Sequence, residues 1–329
     1  MRRVFLLAIL VAFRLPAQDP KPLEAKKDPD QIGTRDVSKG INFFSIEKEM
    51  ALGKSMAQQL ERKSTLVTDK LITEYVNRLG QNLGRHSDTK IPLTIKVIEG
   101  DDPNAITLPG GYIYVQTGLI RTADTEAELA GAMAHEIAHV AARHATRQAT
   151  QGQVAQIAAI PLIFIGGLGS LCMGAAEASI VPASSLGFQR GNESEADMLG
   201  LQYLYKSGYD PLGMVDIFEK IFSFAEQKHP KLLARLASTH PAAGDRLVNV
   251  QKNIETLLKP RPEYIVNTSE FDNMKSRLAQ LDLMPKPDPP EERKPPTLRR
   301  PGDQLVASKK FVPGSDARAS QIKEAYTVR

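Results

Sequence analysis

The chain has 329 residues, 42% of them hydrophobic and 24% charged, with one Cys and no Trp; that is ample for one large or two ordinary folded domains. The single Cys172 excludes an intrachain disulfide framework and a Cys-rich zinc module. Of the +4 formal charge, three arginines in the first 17 residues and ten basic against six acidic residues in 286–329 supply more than the whole, which leaves residues 18–285 at about −3; a nucleic-acid binder carries its basic excess on the folded body, so no nucleic-acid partner is expected.

Residues 1–17 have the layout of a secretory signal peptide. Met1-Arg-Arg is basic, Val4–Phe13 is apolar, and Leu15-Pro-Ala17 puts a small residue at the cleavage position. The apolar run is too short for a permanent bilayer span. The expectation is export to the periplasm, with an uncleaved N-terminal anchor as the alternative. Residues 18–41 are polar and read as a linker, and the folded domain is expected over 42–284.

Ser45 to about Lys63 places Ile46, Met50, Leu52, Met56 and Leu60 at helical spacing, and Thr68–Leu83 does the same with Leu71, Tyr75, Val76, Leu79 and Leu83. Both are expected to turn these residues to the core. Leu93–Ile98 alternates and is β-branched, which predicts a strand. Ala105–Leu108 and Tyr112–Val115 flank Pro109-Gly-Gly111 and read as a hairpin. Thr125 followed by Glu128 forms a capping box, and the Ala-, Leu- and Glu-rich stretch to about Gln148 predicts a helix. Residues 148–176 contain no charged side chain; the apolar stretch at 154–187 is expected to form a buried helix or hydrophobic lid over the site, with a membrane contact as the alternative. Further helices are expected at Glu193–Tyr205, Leu212–Gln227 and Arg246–Leu258, and Tyr264 to about Leu283 ends the body. Seven prolines between Pro285 and Pro301, interleaved with charges, predict a disordered tail over 285–329.

Within the capped helix stands His135-Glu136-Ile-Ala-His139. Histidines at i and i+4 share a helix face, so both can grip one ion. Zinc takes imidazole nitrogen, and a catalytic site uses three protein ligands and keeps one position for water, whose pKa it lowers towards neutrality. Glu136 is offset by about 100° and is the expected base for that water. The third ligand is sought in Asn192-Glu193-Ser-Glu195-Ala-Asp197. Glu193 and Asp197 share a helix face; Glu193 as ligand leaves Asp197 able to hold the far nitrogen of a ligand histidine. Glu195 points elsewhere and is the rival assignment. His144, five residues past His139, is expected at the surface.

These residues resemble the gluzincin metallopeptidases, family forty-eight of the metallopeptidases, which include HtpX and the CAAX prenyl endopeptidase, and most of all its periplasmic BepA- and LoiP-like branch. The resemblance also rests on Asn104-Ala-Ile-Thr-Leu-Pro-Gly-Gly111 with Thr117-Gly-Leu119, on Glu195-Ala-Asp-Met-Leu-Gly200, on Gly208-Tyr-Asp-Pro211, and on Thr239-His-Pro241 with Arg246. It implies an α+β, mainly helical zincin-type domain with a small, mostly antiparallel sheet, one Zn2+ per chain, and hydrolysis of peptide bonds in misfolded or stalled envelope proteins. It also implies that His240 lies near the metal, as a latch or an oxyanion donor, with Arg246 supporting the same wall; a histidine ordering a proline turn is the structural alternative. The edge formed by Ala105, Ile106, Thr107 and Leu108 is expected to pair with extended substrate. The partners expected are unfolded or misassembled envelope proteins, with a peripheral membrane or outer-membrane assembly contact allowed. A non-proteolytic assembly chaperone with a latched zinc site is the alternative function.

Overall fold

The computed structural model describes residues 24–152, 183–228 and 245–283. The signal-peptide reading, nearly all of the apolar stretch at 154–187, His240 and the tail at 285–329 therefore lie outside the described residues.

Two long helices open the domain. Helix α1, Ile46–Lys63, is capped by Ser45, whose hydroxyl accepts from the Lys48 N–H; α2, Lys70–Arg85, is capped by Asp69, which accepts from Leu71 and Ile72. Such caps contribute roughly 1 kcal/mol each by satisfying N–H groups that the helix cannot. The strands follow: β1 Thr94–Ile98, β2 Ala105–Leu108 and β3 Tyr112–Gln116. Their order is β1-β3-β2, with β1 parallel and β2 antiparallel to β3. The sheet is thus mixed. The hairpin is there, but its second strand inserts between its first and β1, and this leaves β2 as an edge.

The sheet has a helix layer on each side. Ile95, Val97, Ala105, Ile113 and Val115 join the main core with α2, whereas Ile98, Tyr114, Ile106, Leu108 and Tyr112 gather round Ala57 of α1. The period of two thus turns Ile106 and Leu108 away from the face that Ala105 joins.

A short helix α3, Thr117–Thr122, follows β3 directly and carries the Thr117-Gly-Leu119 motif. Helix α4, Glu126–Ala141, is buried along nearly its whole length. Thr125 accepts from the Glu128 N–H, and the Glu128 carboxylate reaches back to the Asp124 N–H, so the capping box closes one residue early. The helix stops at Ala141, short of the expected Gln148, because Arg143 adopts a left-handed φ of 55°. Its guanidinium donates to Glu49 Oε2 and to the Phe44 carbonyl, both at 2.7 Å, which fixes the break. Helical residues 144–152 restart on a new axis.

Helices α5 (Ala183–Lys206), α6 (Leu212–Lys228), α7 (Arg246–Leu257) and α8 (Ser269–Asp282) complete the body. Helix α5 packs directly on α4. A β-carbon on Gly200 of α5 would stand 2.9 Å from the Ala134 carbonyl and from the His135 backbone. Only a glycine lets the two axes approach so far.

Two expectations about packing change. In α1 the inward face is Glu49, Gly53 and Ala57, while Met50, Leu52 and Met56 are each 38% exposed. A β-carbon on Gly53 would overlap the Pro109 carbonyl, so the helix presents its small residues to the Pro109–Gly111 turn. And residues 24–40, within the stretch read as a linker, lie against the body. Arg35 donates from Nε to Asp88 Oδ2 (2.8 Å) and from Nη1 to the carbonyls of Ala25, Lys26 and Asp28 and to Gln202 Oε1, with Val37 buried beside it.

The Arg35–Asp88 pair is dry, with side chains 3% and 0% exposed. Removing one partner strands the other charge, at a cost of about 3–5 kcal/mol. Arg35→Ala is therefore expected to lower the melting temperature by many degrees and to make the chain before residue 40 a protease target. An unchanged melting curve would show that this strap contributes nothing.

Candidate metal centre

The site begins with the two imidazoles of α4. One turn apart, His135 and His139 bring their Nε2 atoms to 3.1 Å. Glu193, carried in by α5 at the Gly200 contact, places Oε2 3.4 Å from His135 Nε2 and Oε1 3.4 Å from His139 Nε2. A tetrahedral ion with bonds of about 2.0–2.1 Å separates its ligand atoms by about 3.3–3.4 Å. Two neutral nitrogens and a carboxylate oxygen, all within 4.8 Å of one another and largely buried, fit a divalent cation in both spacing and chemistry.

The surrounding charges point the same way. His135 Nδ1 faces Asp197 Oδ1 at 3.0 Å. Burial pushes the His135 ring down, but Asp197 and Glu193 outweigh it and hold the pKa well above the ordinary imidazole value. The carboxylates around this ring favour positive charge there, which suits a bound cation. Arg246 neutralises the other side. Its Nε and Nη2 donate to both oxygens of Asp197 at 2.8 and 2.7 Å, and Nη1 stands 3.2 Å from Glu193 Oε2. Burial raises Asp197, yet Arg246 and His135 keep it below the usual carboxylate range. The guanidinium also lies over the Phe218 ring at 5.1 Å, and that ring meets His135 edge-on.

Glu136 sits between two depressions. One, of about 250 Å³, runs along β2 from Asn104 to Pro109 and is walled by His139, Arg143 and Glu193. The other is smaller and apolar, between Phe218, Phe222, Leu119 and Ala105. Thr107 Oγ1 donates to Glu136 Oε2 at 2.5 Å, so β2 grips the carboxylate as well as edging the cleft. Among the described residues β2 pairs only with β3, and its outer side borders the cleft.

The structure brings together His135, Glu136, His139, Glu193, Asp197, Arg246 and Thr107. Glu195 is turned away, as the helical offset requires, and is engaged by Lys26, His144 and Arg147. His144 is a correction. It is buried, with Nδ1 3.0 Å from His139 Nδ1, because the break at Arg143 swings it back against the His135–His139 turn. Burial lowers its pKa below the ordinary imidazole value. Helical spacing alone could not place it, since the helix on which that spacing was counted ends three residues earlier.

Comparison with known proteins agrees with this geometry. The profile of peptidase family M48 matches residues 68–254. The β-barrel assembly-enhancing protease of Escherichia coli K12 is 32% identical over 253 residues, covering 71% of this chain and 49% of that protein. Its Yersinia pestis counterpart is 34% identical over 262 residues, 75% and 50% of the two chains. The mitochondrial metalloendopeptidase OMA1 of Bos taurus is 30% identical over 221 residues, 61% of this chain and 39% of its own. The chain thus spans about half the length, or less, of these relatives.

Arg246 is the counter-charge for two buried carboxylates. Arg246→Ala is expected to destabilise the metal-free protein by about 3–5 kcal/mol, measured by urea unfolding. Arg246→Lys restores little of this, because an ammonium cannot span both Asp197 oxygens. Full recovery with lysine would contradict the bidentate role.

Proposed function

The chain belongs to peptidase family M48, and from that premise we propose that it is a zinc-dependent endopeptidase acting on misfolded or stalled envelope proteins. The observation that carries this reading is the convergence of His135, His139 and Glu193 beside a carboxylate, Glu136, that borders an open strand edge. His135, His139 and Glu193 would hold one Zn2+ per chain. When bound, the ion supplies Lewis acidity and a water of lowered pKa.

The chain's own groups do the rest. Glu136 takes a proton from the attacking water as the carbonyl carbon gains its new bond, and returns that proton to the amine as the C–N bond breaks. Thr107 orients the carboxylate through the bond to Oε2. Asp197 sets the His135 ring, and Arg246 pairs with both Asp197 and Glu193. Ala105, Ile106, Thr107 and Leu108 offer main-chain groups to an extended peptide. Pairing through the backbone reads little sequence and requires an unfolded stretch, which suits a quality-control substrate. We assign His240, on the family resemblance, the task of donating to the developing oxyanion.

The envelope setting is supported by residues 1–17, which read as an export signal to the periplasm, and by relatives named for β-barrel assembly. No helix among the described residues is long and apolar enough to cross a membrane. A peripheral contact with the membrane or with outer-membrane assembly machinery is compatible with this reading.

Cleavage of an unfolded reporter such as casein tests it. Glu136→Gln is expected to retain zinc and lose about 10²–10⁴-fold in rate, and a chelator to abolish activity that zinc restores. Client binding by a zinc-loaded wild type that never cleaves would replace the peptidase by a holding chaperone.

A further inference from the structure

The two histidines facing the metal position have different supports. Behind His135 stands a carboxylate, Asp197, at 3.0 Å from Nδ1. Behind His139 stands another imidazole. His139 Nδ1 lies 3.0 Å from His144 Nδ1, and His144 Nε2 lies 3.1 Å from Glu195 Oε2. Glu195 in turn accepts from Lys26 Nζ at 2.6 Å and from Arg147 Nη1 at 3.2 Å.

One proton pattern satisfies this chain if His139 binds a cation through Nε2. That nitrogen then needs its lone pair, so the ring proton of His139 is on Nδ1 and must be donated. His144 accepts it at Nδ1 and carries its own proton on Nε2, where the Glu195 carboxylate receives it. The chain is thus a carboxylate–histidine–histidine relay ending on the metal ligand. Lys26 and Arg147 hold the Glu195 carboxylate in place at the far end through ion pairs of 2.6 and 3.2 Å. Lys26 sits on the strap that Arg35 pins by three carbonyls, so the segment before α1 forms part of the support.

We propose that His144 and Glu195 are positioning residues of the metal site: through the His139 Nδ1–His144–Glu195 chain they fix the tautomer and ring angle of His139 and raise its basicity towards the ion. The proposal rests on the metal reading given above. Outer partners of this kind typically change metal affinity by about 10–100-fold.

The test uses the full chain, with zinc affinity measured by competition against a chromophoric chelator and the ligand-field spectrum recorded after Co2+ substitution. His144→Leu is expected to weaken zinc binding about 10–100-fold and to shift the cobalt bands. His144→Asn keeps an acceptor near the Nδ1 position and is expected to recover part of the affinity. Glu195→Gln keeps an acceptor for His144 Nε2–H but loses the charge, and is expected to weaken zinc less than His144→Leu does. A purely structural role would move the melting temperature of the metal-free protein and leave the cobalt spectrum alone. Wild-type affinity and an unshifted spectrum in folded His144→Leu overturn the proposal. If that variant does not fold, Glu195→Gln decides: a shifted spectrum with several-fold weaker zinc supports it, and wild-type values on both overturn it. A wild-type chain that takes up no zinc sinks the metal reading and this inference with it; normal uptake with indifferent variants sinks the inference alone.

Discussion

A β-carbon on Gly200 would stand 2.9 Å from the backbone of α4 at Ala134 and His135, and its absence lets α5 settle onto the helix that carries both imidazoles. Glu193 and Asp197 ride on α5, about two turns and one turn before that contact respectively, so the interhelical distance sets their reach. With the helices this close, Glu193 meets Nε2 of both histidines while Asp197 meets Nδ1 of one. A separation larger by a methyl group would draw Glu193 away from the two Nε2 atoms and Asp197 away from His135 Nδ1. Glu193 is thus positioned beside the two imidazoles by packing rather than by any loop.

Such closeness has an electrostatic cost. Two carboxylates buried side by side repel each other and lose hydration, a penalty repaid only when counter-charges and hydrogen bonds are complete. Arg246 provides the counter-charge with a fork that matches Asp197, and His135 Nδ1 stands 3.0 Å from the same carboxylate. The same arrangement leaves the space between the Nε2 atoms and Glu193 suited to a cation. Charge outside that spot is tied up as well: Glu195 is held by Lys26 and Arg147, and Glu49 by Arg143 and Thr146.

Much of this was legible beforehand. The i, i+4 spacing of His135 and His139, the shared face of Glu193 and Asp197, and the outward turn of Glu195 all follow from 3.6 residues per turn, and both helices kept that period where it mattered. The hairpin and the capped start of α4 were likewise local features that local patterns can report. What failed depended on contacts made at a distance. His144 became part of the site because Arg143 adopts a left-handed conformation held by Glu49 and Phe44, some hundred residues earlier. The apolar stripe of α1 stayed partly exposed because Gly53 had to meet the Pro109 carbonyl. Residues 24–40 looked solvated by composition, yet one buried ion pair from Arg35 to Asp88 pulls them in. The parallel pairing of β1 with β3 has no short-range signal either, since register and order are settled by which strand fills the centre.

The central claim is that one divalent ion sits where His135, His139 and Glu193 converge. Diffraction from zinc-loaded crystals, with anomalous differences collected on both sides of the zinc edge, addresses it most directly. The account predicts one strong anomalous peak per chain, bonded to both Nε2 atoms and to a Glu193 oxygen. A peak coordinated instead by Glu195 and His144, or no peak in a folded, zinc-saturated chain, would contradict it.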